Sequence, residues 1–213
     1  MSLFNKVFGT PEARQVKRLF KEARAHVDAT YGPLGALGRA IAETTWVVWQ
    51  NLGTVFGFDK KQSPSEREIL LLYELIYFFC HLTWRTAVAN RFSNAHIAKL
   101  QTYLCPLLAS TAVDTFCLHW PEEVKSKIRN EFLEKLNEAE IDYSECRGLV
   151  SESDPLSRST LIGRFGGHAA ALWEREGDPV AELAVGTEMI RAFSDMKLKS
   201  LVTDVAAVID AVD

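Results

Sequence analysis

An all-α fold is predicted by three observations. No run of alternating apolar and polar residues bounded by turn residues reads as a strand. Apolar residues recur at helical spacing along most of the chain. Three dipeptides, Thr10-Pro11, Ser63-Pro64 and Asp178-Pro179, have the form of a helix cap followed by a proline at the first helical position. No internal repeat is present, so the expected architecture is a single-domain bundle of about seven helices around a buried central helix, residues 63–90.

Taken from the N-terminus, Leu3, Phe4, Val7 and Phe8 can share one face of a short amphipathic arm. A helix is then expected from Thr10 to about Asp28, with Arg14, Lys17, Arg18, Lys21 and Arg24 on one side and Val16, Leu19, Phe20, Ala23 and Val27 opposite. YGPLGALG, Tyr31 to Gly38, reads as a bend and sets the boundary between an arm, 1–38, and a body, 39–213. Ile41, Thr45, Val48, Trp49 and Leu52 predict a second helix over 39–52, followed by a loop to Lys61.

The central element starts at Ser63, where Glu66 three residues on completes a capping-box pattern. From Ile69 to Trp84 nearly every residue is apolar, too many for a one-sided surface helix. Ile97, Leu100, Leu104 and Leu108 predict a further helix from about Ser93. Pro106 within it leaves open one bent helix or two that meet near Cys105. Pro121 is read as the first residue of a charged helix with Val124, Ile128, Phe132 and Leu136 inward. Residues 144–159 lack period and form a loop. Helical pattern resumes at Thr160, where Gly163, Gly166 and Gly167 suit close approach of another backbone. After Asp178 the inward row is expected to be Leu183, Ile190 and Phe193, then Leu198, Leu201, Val205, Val208 and Ile209, with the tail docked.

Composition narrows the function. The chain is 47% hydrophobic and 24% charged, which is ordinary for a globular protein. A net charge of −4 argues against nucleic acid, whose phosphates need a basic footprint. Residues 1–39 hold seven Lys or Arg against three Asp or Glu, a balance of +4, so the rest carries −8. That asymmetry suits either contact between the basic row and an acidic partner or anionic membrane surface, or docking on the same chain. The best apolar run is interrupted by Glu74, His81 and Arg85 and is no bilayer span. Without a secretory pattern or a CxxC pair, Cys80, Cys105, Cys117 and Cys146 are expected to be reduced thiols in the cytoplasm.

The place to look for a site is the central helix. Glu74, His81 and Arg85 fall within about 20° of one line on its surface, with Arg67 on the same line two turns earlier and Tyr73, Tyr77 and Trp84 beside it. Buried ionisable groups need partners, so the stripe faces water, a satisfying helix or a ligand. In the ligand reading, Arg85 holds an anion, His81 exchanges protons and Glu74 orients a donor, with Tyr73 and Tyr77 lining the pocket. Glu74 and His81 stand about 10 Å apart along the axis and need groups from another helix for any chemistry.

Recognised catalytic spacings are absent: there is no HExxH, Walker loop, GxSxG or Glu-x-x-His pair, and no cofactor or metal is expected. The glycines at 163, 166 and 167 follow no strand and do not fit a dinucleotide loop. The expected function is therefore that of a non-enzymatic helical protein that works through protein contacts, as a homo-oligomer or with another protein, or through a membrane surface. The alternative is a small-molecule binder or enzyme with a pocket beside the central helix.

LYELIYFFCHLTWR, with HWPEEVKSKIRNEF and NEAEIDYSEC after it, is similar to uncharacterised all-helical bacterial proteins. The resemblance spans roughly residues 63–146. It implies a helical protein without an assigned activity, and it carries over no functional residue.

Overall fold

The computed structural model describes residues 11–58, 64–116 and 120–211, with side chains described over 32–58, 64–114 and 120–210. Among these residues the secondary structure is seven α-helices and a short 3-10 turn, with no strand beyond one isolated bridge between Gly148 and Thr160. The all-α expectation holds.

Helix α1 runs from Pro11 to Phe56 and is broken at Gly32, whose φ of 48° and ψ of −125° suit a residue without a side chain. Pro33 fits just after the break, where the φ it imposes opens the second half. The bend read over 31–38 is thus one residue, and the body of α1 begins at 33 rather than 39. Leu34, Leu37, Ile41, Thr45, Val48 and Leu52 are all buried, a row at helical spacing. The basic row of Arg14, Lys17, Arg18, Lys21 and Arg24, and the short arm before it, lie outside the residues with described side chains.

Helix α2 spans Glu66–Ala89. Ser63 lies outside the described residues, and the cap is instead Ser65. Its hydroxyl accepts from the Glu68 amide, while the Glu68 carboxylate accepts from the Ser65 amide at 2.8 Å. The capping-box spacing recurs two residues later, and the helix uses the later copy. Every residue from Leu75 to Trp84 is buried.

Helix α3, Asn94–Phe116, passes through Pro106 as one helix, which settles the choice left open by that proline. Helix α4 covers Glu122–Ser144, with Pro121 at its cap rather than its first turn because ψ of 144° is extended there. Helices α5, Leu161–Ala171, and α6, Pro179–Met196, form a close hairpin; Asp178 caps α6 as the sequence implies, and Thr160, where helical pattern resumes in the sequence, caps α5. Helix α7, Leu198–Ala206, and the turn at Ile209–Ala211 close the bundle, and Leu198, Val205 and Ile209 are buried.

The glycines of α5 carry the hairpin. A Cβ on Gly163 would sit 2.1 Å from the Ser157 carbonyl oxygen, and one on Gly166 would touch the Glu182 carbonyl at 3.4 Å. At Gly167 the methyl space is taken by the Arg158 guanidinium, which donates to the Gly163 carbonyl at 2.6 Å and the buried Glu182 carboxylate at 2.7 Å. The expected close approach is therefore real, and loop 145–160 supplies half of it.

Helix α6 departs from expectation. Its inward row is Ala181, Val185, Gly186, Met189, Ala192 and Met196, while Leu183 and Ile190 are each 47% exposed. Both rows recur at helical spacing. Smaller residues allow α5 and α1 to come close, so the row with Ala and Gly packs inward; Leu183 and Ile190 face water, and Phe193 of the expected row is half-buried against the core.

Candidate functional site

The ionisable stripe of α2 faces α4, α5 and the start of the loop after α4, and meets a protein group at each position. Glu74 accepts from the Tyr143 hydroxyl at 3.2 Å, and its Oε2 lies 3.8 Å from Nδ1 of His168 on α5. His81 donates through Nδ1 to Glu140 Oε2 at 2.8 Å, since a carboxylate can only accept. Arg85 donates to the Cys146 carbonyl at 2.6 Å. Arg67, the fourth member of the line, pairs with Glu174 at the surface. Tyr73 and Tyr77 both turn their rings to Phe132, at 5.2 and 4.9 Å, instead of framing an opening.

The centre of this cluster is a residue that the sequence does not single out. Tyr143 is fully buried, and its ring packs near two imidazoles, 5.7 Å from His81 and 5.8 Å from His168. Glu74 and Asp142 lie beside it; further out Glu140 meets His81, and Arg164 is bonded to Asp142 Oδ1 at 2.5 Å and lies 3.5 Å from Glu145. His168 Nε2 is 3.5 Å from Asp142 Oδ2, so its ring has a carboxylate facing each nitrogen. A buried aromatic ring in a helix otherwise rich in charge is the one available signal, and NEAEIDY carries it.

Electrostatics follow from these neighbours. Glu74 is the main cause that raises the His168 pKa above its ordinary value. Burial opposes that effect and Asp142 adds to it, with Arg164 on the lowering side. Burial pushes the Tyr143 and Tyr77 hydroxyls far up, with Glu74 reinforcing both. The thiols move the same way: burial raises Cys80 strongly, Cys105 to about 12, and Cys146. At neutral pH these three are thiols rather than nucleophilic thiolates.

Two buried polar atoms of the cluster lack a hydrogen bond, His81 Nε2 and Asp142 Oδ2. Among the described residues no group of three or more His, Cys, Asp or Glu is arranged to hold a metal ion, and Cys80, Cys105 and Cys146 are unpaired. Three grooves on the described surface lie elsewhere, between α1 and α3, between α1 and α6, and beside Gly32. The arrangement can hold charge and bind protons, with Arg164 the cation paired to Asp142 and Glu145.

The other candidate surface is the outer side of α6. Val180, Leu183, Thr187, Ile190 and Ser194 follow the spacing i, i+3, i+7, i+10, i+14, the heptad of a helix seam, and Val180 is 73% exposed. Val47 of α1, 53% exposed, lies at the flank, where a groove of about 500 Å³ runs between Val47, Val48, Ala192 and Met196, edged by Glu188, Arg191 and Asp195. The groove rim is tied down by Asn51 donating to Glu188 at 3.0 Å. No family model, curated protein or solved structure matches the chain. Among the described residues no helix is long and apolar enough to cross a membrane.

Proposed function

We propose that the protein is a non-enzymatic helical module that works through protein contacts, first of all self-association, with the outer side of α6 as its contact face. The supporting observation is the uncharged heptad row Val180, Leu183, Thr187, Ile190 and Ser194, which faces water although its spacing is that of a helix-packing seam. The ionisable stripe of α2 gives less support to a ligand pocket, because Glu74, His81 and Arg85 take protein partners. In the same reading the basic row Arg14, Lys17, Arg18, Lys21 and Arg24 is a second surface, for an acidic protein or an anionic membrane, and the cytoplasm is the place of action.

Light scattering on the full chain tests the face. The unaltered protein is expected to exceed monomer mass at high micromolar concentration, and the Leu183→Asp, Ile190→Asp double variant to run as a folded monomer. A chain that stays monomeric throughout, or a variant of unchanged mass, would end the proposal. Co-sedimentation with anionic liposomes, with and without Lys17→Glu and Lys21→Glu, separates protein from membrane contact.

A further inference from the structure

His168 stands where three helices meet. It lies in the last turn of α5 and faces Glu74 of α2 through Nδ1 at 3.8 Å and Asp142 of α4 through Nε2 at 3.5 Å. We propose that His168 is a proton-operated clamp: protonated, its ring bridges α2 and α4 and holds the end of α5 against both; deprotonated, it releases one of them.

The chemistry is set by the ring. An imidazolium has two N–H groups, one for each carboxylate, whereas neutral imidazole has a single N–H and a lone pair. After proton loss, one carboxylate must therefore meet a lone pair. Asp142 Oδ2 is the exposed side of the balance, since it is buried without a hydrogen bond and gains only charge attraction from the ring. The place of His168 in the last turn of α5 favours the cation as well, since the C-terminal end of a helix carries partial negative charge.

The remaining groups around the ring fit this device. From α4, the Tyr143 ring lies tilted beside the imidazole, 5.8 Å away, and uses its hydroxyl on Glu74. From α5 itself, Arg164 is the one cation that faces the site, and it is taken up by Asp142 and Glu145. On the far side of α5, helix α6 turns its buried carboxylate, Glu182, to Arg158 and not to His168. Eleven residues are too few for a helix to hold by itself, so α5 depends on such contacts.

The sign follows from the raised pKa. The clamp is fully present below the value of an unstructured histidine, about 6.5, and is lost as pH rises through the higher folded value. Each unit between the two corresponds to about a tenfold change in opening.

The test uses the full chain, with a histidine-detected NMR titration and amide hydrogen exchange of α5 corrected for intrinsic rates. Protection at the end of α5 is expected to fall about tenfold per unit by which the midpoint exceeds 6.5, to stay flat in His168→Gln, and to fall at lower pH in Glu74→Gln and Asp142→Asn. A His168 midpoint at or below 6.5, α5 protection that does not follow it, the same fall in His168→Gln, or carboxamide variants with unmoved midpoints would each overturn the clamp. The carboxamide variants also decide the question should His168→Gln fail to fold.

Discussion

Tyr143 shows how much a single side chain settles. Its ring packs near the imidazoles of His81 and His168 and its hydroxyl donates to Glu74, so it joins α4 to α2 by packing and by one hydrogen bond. Tyr143→Phe keeps the packing and removes the bond, and should cost about 1 kcal/mol in urea unfolding; a cost near zero would mean that water replaces the hydroxyl. The thiols give a second expectation. Cys80 is buried and its pKa is raised, so a thiol reagent should modify it only at the rate of unfolding, which mass spectrometry under increasing urea can follow. At this scale the alignment of Glu74, His81 and Arg85 could be read from spacing alone. Their partners Glu140, Cys146 and Tyr143 could not, because they come from α4 and the residues just after it, some sixty residues on. Periodicity gives the face of a helix and says nothing of which helix covers it.

At the scale of elements, caps were legible to within a residue or two and faces less so. Asp178 and Thr160 cap their helices as their side chains dictate, and at α2 the chain offers two capping boxes in succession, of which Ser65 is used. Helix α6 carries two apolar rows, and choosing the inward one requires knowing that α5 and α1 approach closely enough to demand Ala181 and Gly186. Close approach also governs α5. In Gly163→Ala the new methyl would collide with the Ser157 carbonyl, a backbone atom that cannot turn aside. The expected loss is about 2 kcal/mol, or roughly 4–8 °C in Tm, whereas Gly148→Ala, whose nearest neighbour would be at 3.7 Å, should change little. Equal melting of the two variants would show that the loop yields.

The molecule as a whole is a bundle in which α2 is covered by α1, α3, α4, α5 and α7, as its near-continuous apolar sequence demands. The all-helical class followed from the sequence; the break at Gly32 was legible as a bend but not as a single residue. Global stability should carry the mark of His168: the difference between the unaltered chain and His168→Gln in denaturant midpoint should be largest below pH 6.5 and should shrink as pH rises through the raised folded value. A difference that grows with pH would contradict the charge arrangement around the ring. The guanidinium of Arg158 occupying the methyl space of Gly167 has a consequence for descent as well as for folding. A side chain at 167 would have to push the guanidinium, the far end of a flexible side chain, out of its place, and Glu182 would then keep only the bond from the Gly177 amide. Related sequences, wherever they occur, should therefore favour glycine at 167 where Arg158 and Glu182 are both kept.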